Sequence, residues 1–155
     1  MKDIFNYLQL TETLSSSGMP TPEQLRQIAE AGVKFVVNLA TPKSEGWMTD
    51  EGDVFQSLGV DYLSIRVDWE NPTAQDLARF LDAMTAHEGQ RVHVHCQANF
   101  RATAFIGLYR VLRLGWERER AFEDQRKIWK VEEYPVWEKF VNETLDQNGI
   151  ENKPK

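Results

Sequence analysis

The residues whose types and spacing could do covalent chemistry lie in one stretch, Val92-His93-Val94-His95-Cys96-Gln97-Ala98-Asn99-Phe100-Arg101-Ala102-Thr103. It holds the only cysteine of the chain. The thiolate is the nucleophilic form of that side chain, and a helix N-terminus or a nearby cation stabilises it. An alternating valine run leads in and reads as a buried strand. An apolar helical pattern leads out, from Ala102 to Leu114. A strand that turns sharply into a helix gathers backbone N–H groups and the positive helix end at one point, which attracts anions. Arg101 opens the helix, and a guanidinium can hold two oxygens of a phosphate or sulfate at once. Together these parts predict an oxyanion-binding nucleophile site. A lone cysteine ending a strand is also a common small core residue, but His95 before it and Arg101 after it favour the site.

The surrounding elements follow from pattern. Phe5 to Leu10 alternates loosely, as an edge strand would, and Ser15 to Pro20 reads as a loop. Thr21-Pro22-Glu23-Gln24 opens a helix: Thr21 caps, Pro22 suits the first position, Gln24 completes a capping box, and Gly32 ends it. Lys34 to Leu39 is a strand apolar on both faces, as in a parallel sheet. Asp50 to Leu58 is a weak helix, and Tyr62 to Val67 a second strand. Thr73 caps a helix carrying Leu77, Phe80, Leu81 and Met84 at three- and four-residue spacing. Arg91 to Cys96 is the third strand. A charged helix from Glu117 to Lys130 and a last helix from Pro135, with Val136, Trp137, Phe140 and Val141 turned inward, complete the chain. Strand alternating with helix predicts an α/β fold with a mainly parallel central sheet flanked by helices. Ligands of such sheets sit beyond the carboxyl ends of the strands, so loops 40–46, 68–72 and 96–101 should share one rim, with Asp68 near Cys96.

At these residues the chain resembles the cysteine-dependent protein tyrosine and dual-specificity phosphatases, and more closely a bacterial branch related to the phosphatase-like domain of β-lactamase-hydrolase-like proteins. Five stretches carry the resemblance: Ser17 to Gln24, Val37-Asn38-Leu39, Val67 to Thr73, Val94 to Ala104, and Tyr109 to Leu112. It implies a protein tyrosine phosphatase-like fold of dual-specificity type and a hydrolase acting on a phosphomonoester through a phosphocysteine on Cys96. Arg101 would hold the phosphoryl oxygens, and Asp68 would protonate the leaving oxygen and then activate water. His95 would order hydrogen bonds behind the loop. Gln97, Ala98, Asn99, Phe100, Ala102 and Thr103 would complete the substrate-binding loop.

One feature departs from that family. Its signature has five residues between Cys and Arg, whereas here there are four, Gln97 to Phe100. Aligned without a gap, Ala102 takes the arginine's place and Thr103 that of the hydroxyl residue after it. Asn99 stands where glycine is usual, which Asn tolerates because it enters the left-handed region readily. A short Cys-to-Arg loop also resembles that of single-domain rhodaneses, so sulfur transfer through a Cys96 persulfide is an alternative, as is a catalytically inactive phosphate- or partner-binding module.

Composition narrows the partners. With 155 residues the chain suits one domain, over 1–146, followed by a polar tail over 147–155. A net charge of −6 argues against nucleic acid and anionic membranes, so local groups must hold any anion. One cysteine excludes an internal disulfide, and no signal peptide or spanning segment is evident, so a cytoplasmic location is expected. The expected partner is a phosphorylated substrate, small molecule or protein, or free phosphate or sulfate. No cofactor is expected. His93, His95 and Cys96 could share a metal, but no further ligand is evident, so no metal is expected either. Asp68 could merely cap the turn before Pro72. Trp69, Phe100 and Trp47 could line an aromatic-substrate pocket or simply cover the core, and Lys43 and Glu45 could border the site or be solvated.

Overall fold

The structure, a computed structural model, describes residues 1–150. Strands β1 (Leu8–Gln9) and β2 (Leu14–Ser17) precede helix α1 (Pro22–Glu30). Then come β3 (Phe35–Asn38), α2 (Glu51–Ser57), β4 (Asp61–Ser64), α3 (Ala74–Ala86) and β5 (Val92–His95). Helices α4 (Phe100–Leu112), α5 (Arg118–Ala121), α6 (Glu123–Arg126) and α7 (Pro135–Gln147) follow, with a 3-10 turn at Val131–Glu133. The five strands are ordered β1-β2-β5-β3-β4, and only β1 runs antiparallel to its neighbour.

Local chemistry sets several of these ends as expected. Thr21 and Gln24 form the capping box of α1, and Gly32 follows it at φ +91°. The Thr73 hydroxyl accepts from Asp76 N and caps α3. Four expectations need correction. Ser15 to Ser17 are not loop but β2, wholly buried, because their backbone pairs with β5 and the Ser15 and Ser17 hydroxyls meet His93, partners that no apolar pattern announces. Helix α4 starts at Phe100, not Ala102, because the turn is completed at Asn99. The charged segment after Gly115 is two short helices, not one, broken at Phe122, whose buried ring lies against Gly107 of α4. Val136 is exposed, while Trp137 and Val141 face the core.

The two faces of the sheet differ. On one, Phe35, Val37, Val92 and Val94 pack beneath α3, α4 and α7. On the other, Val36 joins Leu25, Ile28, Phe55 and Val60 under α1 and α2. Period-two alternation puts the other two residues of β5 on this second face, so His93 and His95 lie there with Ser15 and Ser17. Ile150 packs against the first core. The tail expected over 147–155 falls beyond that point on residues 151–155, outside the described ones. No helix among the described residues is long and apolar enough to cross a membrane.

His93 sits fully buried between two hydroxyls, with Ser15 Oγ 2.7 Å from Nδ1 and Ser17 Oγ 2.8 Å from Nε2. Ser17 gives its proton to Gly18 O at 2.7 Å, so it accepts from Nε2–H, and Nδ1 accepts from Ser15. The neutral ring is therefore satisfied. Burial first, and then the neighbouring His95, push its pKa down to about 3. The unfolded chain binds a proton near pH 6.5 that the folded chain refuses, so stability is lost as pH falls below about 6.5. Urea unfolding should show the wild type losing on the order of 1 kcal/mol per pH unit between pH 6 and 5 relative to H93Q. Equal slopes for the two proteins would contradict the assignment.

Candidate active site

The carboxyl ends of β3, β4 and β5 open into a cavity of about 490 Å³. Thr41, Lys43 and Ser44 line it from the loop after β3, and Asp68, Trp69 and Glu70 from the loop after β4. Cys96, Gln97, Ala98, Phe100 and Arg101 line it from the turn between β5 and α4. The three loops picked out by strand direction thus meet at one rim, and Cys96, Asp68 and Arg101 border one space.

The turn after β5 is built to present amides. Asn99 takes the left-handed conformation at φ +70° and makes no side-chain cap, unlike the threonines ahead of α1 and α3. The first N–H groups of a helix have no intrahelical acceptor. Among the described residues, no protein acceptor takes the N–H of Gln97, Ala98, Phe100 or Arg101. The carbonyls are all engaged: Gln97 O accepts from Met19 N at 2.9 Å, and Ala98 O from Asn6 Nδ2 at 3.0 Å. Thr103 Oγ1 donates to Asn99 O at 2.7 Å and lies 3.1 Å from Phe100 O. An arrangement with its oxygens tied and its donors free suits an anion.

Arg101 is 6% exposed. Its Nη1 donates to Val67 O at 2.8 Å and its Nη2 lies 3.4 Å from Ser44 Oγ. Both acceptors are neutral, and no carboxylate pairs with this guanidinium among the described residues. A buried cation held only by neutral oxygens is poorly compensated, and an anion in the cavity would complete it. Asp68 is exposed; its Oδ1 accepts from Glu70 N at 2.9 Å, which makes it a turn cap as well as a cavity residue. Trp69 next to it packs on Phe100, Trp129, Tyr134 and Trp137, with ring centroids 5.4 to 5.9 Å away. Trp137 Nε1 donates to Trp69 O at 2.8 Å. This aromatic cluster fixes the Asp68 loop against the start of α4.

Cys96 lines the cavity with none of its surface open to solvent, and its N donates to Ser17 O at 3.3 Å. The remaining candidates do not line it. His95 faces away, its Nε2 2.6 Å from Glu51 Oε2, with both side chains fully buried. Asn99, Ala102 and Thr103 are buried and do not line the cavity. Trp47 packs under the Arg66 guanidinium, and Glu45 contributes its backbone N–H to Gln97 Oε1 at 3.0 Å. No group of three or more His, Cys, Asp or Glu among the described residues is placed to hold a metal.

Sequence reasoning missed Glu51. It opens α2, forty-four positions from His95, and reads there as an ordinary acidic residue of a helix's first turn. Tyr62 and Asn38 adjoin it: Asn38 Nδ2 donates to Tyr62 Oη at 3.0 Å, and burial, then the Glu51 carboxylate, push the Tyr62 phenol up. An apolar helix face interrupted by an acid would have been the only signal.

The family model described as "DSP-PTPase phosphatase fused to NAD+ Kinase" matches residues 8–141. No curated protein matches the chain. Among solved structures, a DUF442 protein of Shewanella putrefaciens CN-32, named as a candidate phosphatase, is 33% identical, with a TM-score of 0.83 over 94% of this chain and 92% of that one. PTPMT1, solved with PI(5)P, is 20% identical, with a TM-score of 0.71 over 92% and 98% of the two chains. P. aeruginosa TpbA, solved with pTyr, is 19% identical, with a TM-score of 0.68 over 88% and 83%. At these identities the last two show likeness of fold.

Removing one partner of a buried pair strands the other. E51A should lower the unfolding free energy by about 3 kcal/mol, and E51Q, which keeps a polar partner for His95, by clearly less. Chemical denaturation of both variants measures this; equal losses would show that the pairing contributes nothing.

Proposed function

The chain belongs to the DSP-PTPase phosphatase family found fused to NAD+ kinase, and on that premise we propose that it hydrolyses a phosphomonoester through a phosphocysteine formed on Cys96. It is a hydrolase of the phosphatase class with the protein tyrosine phosphatase-like fold of dual-specificity type. The observation that carries the mechanism is the convergence on one cavity of Cys96 and Arg101, from the turn between β5 and α4, with Asp68 from the loop after β4.

In the proposed reaction the phosphoryl group enters with its non-bridging oxygens toward the free amides of the loop and the Arg101 guanidinium. These donors are fixed before substrate arrives, so stabilising the charge that builds on the oxygens requires no rearrangement. The Cys96 thiolate attacks phosphorus opposite the leaving oxygen. The P–O bond breaks as the S–P bond forms, and Asp68 delivers its proton to the departing oxygen. Asp68, now a carboxylate, takes a proton from water as that water attacks phosphorus. The S–P bond breaks, and inorganic phosphate and the thiolate are regenerated. Fixing the Asp68 loop through the Trp69 cluster keeps the acid in place for both steps. Substrates of PTPMT1 and TpbA type, a phosphoinositide and a phosphotyrosine, are both phosphomonoesters, which supports that substrate class here.

Hydrolysis of an aryl phosphate tests this. C96S should abolish turnover, D68N should lower kcat about a hundredfold, and R101K should lower kcat/KM by a similar factor. Thiocyanate formation from thiosulfate and cyanide, with no release of phosphate by the wild type, would replace hydrolysis by sulfur transfer. Binding of phosphate with neither activity would reduce the site to a binding module.

A further inference from the structure

The segment ahead of β1 lies outside the sheet, yet it is fastened to the loop after Cys96. Asn6 Nδ2 donates to Ala98 O at 3.0 Å, and Asn99 Nδ2 donates back to Asn6 O at 2.8 Å. Gly18 N donates to Phe5 O at 2.7 Å. Both asparagines hold left-handed backbone, at φ 51° and 70°, a conformation Asn accepts more readily than most residues because its short amide can bond locally. The approach is tight enough to need glycine at Gly18. A Cβ there would meet Gln97 O and the Phe5 ring, each at 2.7 Å.

The consequence lies in the geometry of a planar peptide, where C=O and N–H point opposite ways. A carbonyl turned into the cavity would present negative charge to an anion. Gln97 O is held by the sheet side through Met19 N, and the carbonyls of Asn99 and Phe100 by Thr103 within α4. The middle carbonyl, Ala98 O, depends on Asn6, from the segment ahead of β1.

We propose that Asn6 is a positioning residue for the phosphate loop: it holds the Ala98 carbonyl away from the cavity, and Asn99 reciprocates by holding Asn6. The inference rests on the anion-binding reading of this loop. It explains why the position where glycine is usual tolerates Asn99, since the side chain is directed onto the Asn6 carbonyl and not into the cavity.

Competitive inhibition by tungstate, a tetrahedral oxyanion, isolates the loop from the chemical steps. N6D keeps size and backbone preference but replaces the donor with an acceptor, and N6G keeps the backbone preference with no side chain. Both should weaken tungstate inhibition about tenfold or more, as expected for one lost hydrogen bond that no water replaces. kcat for an aryl phosphate should fall less than kcat/KM, and Tm should move by no more than a few degrees. N99G, which keeps left-handed backbone but removes the return bond, should give a smaller effect in the same direction. Tungstate constants of N6D and N6G within twofold of the wild type would overturn the inference alone. A wild-type protein that binds no tungstate would overturn the loop reading and this inference together.

Discussion

A guanidinium that is nearly out of solvent and has no carboxylate beside it is the constraint around which this molecule is arranged. Arg101 is stapled by Val67 O and approached by Ser44 Oγ. Those two neutral oxygens come from the chain segments after β4 and after β3, so one side chain of α4 ties together all three loops of the rim. Charge burial without a counter-charge is costly enough that proteins normally pair it or avoid it. Here the overall charge of −6 could have supplied a carboxylate at many positions, and the cavity's own acids, Asp68 and Glu70, lie on its exposed side. The unpaired charge and the free amides thus face one cavity, an arrangement that favours a small anion.

The two faces of the sheet divide the work of holding that space. The apolar face carries the aromatic cluster in which Trp69, Phe100, Trp129, Tyr134 and Trp137 interlock, joining the Asp68 loop to the helix that carries Arg101. The opposite face carries a polar layer under β5: Ser15 and Ser17 on His93, and Glu51 on His95. Directional hydrogen bonds fix position more narrowly than apolar contact does. The strand that leads to Cys96 is therefore held by side-chain hydrogen bonds, and the loop that carries Asp68 mainly by aromatic packing, with the Trp137–Trp69 hydrogen bond added.

Legibility in the sequence followed the same division. Apolar strands announced themselves: Phe35 to Leu39 and the valines of β5 are visible as runs or alternation, and strand direction alone put loops 40–46, 68–72 and 96–101 at a common rim. Polar elements did not. The β2 serines look like a linker because their reason to be a strand, His93, lies 76 or 78 residues away. Glu51 is invisible for the same reason, and so is Asn6, whose partners are Ala98 and Asn99. Long-range polar complementarity leaves no periodicity in either partner, so a single sequence carries no trace of it. Phe122 shows the converse case: a charged pattern suggested one helix, and one aromatic ring seeking Gly107 broke it.

The short spacing between Cys96 and Arg101 is resolved by where α4 begins. With Asn99 in the left-handed region, only four residues, Cys96 to Asn99, separate the end of β5 from the first helical residue, and Phe100 already has helical geometry. Arg101 is then the second residue of the helix and lines the cavity, whereas Ala102 is fully buried and does not. A gap-free comparison with the five-residue signature gives the arginine's role to Ala102, about 100° further around the helix. The structure puts Arg101, one position earlier, at the cavity instead: α4 begins directly after the left-handed Asn99, so its second residue still lies beside the turn that follows Cys96.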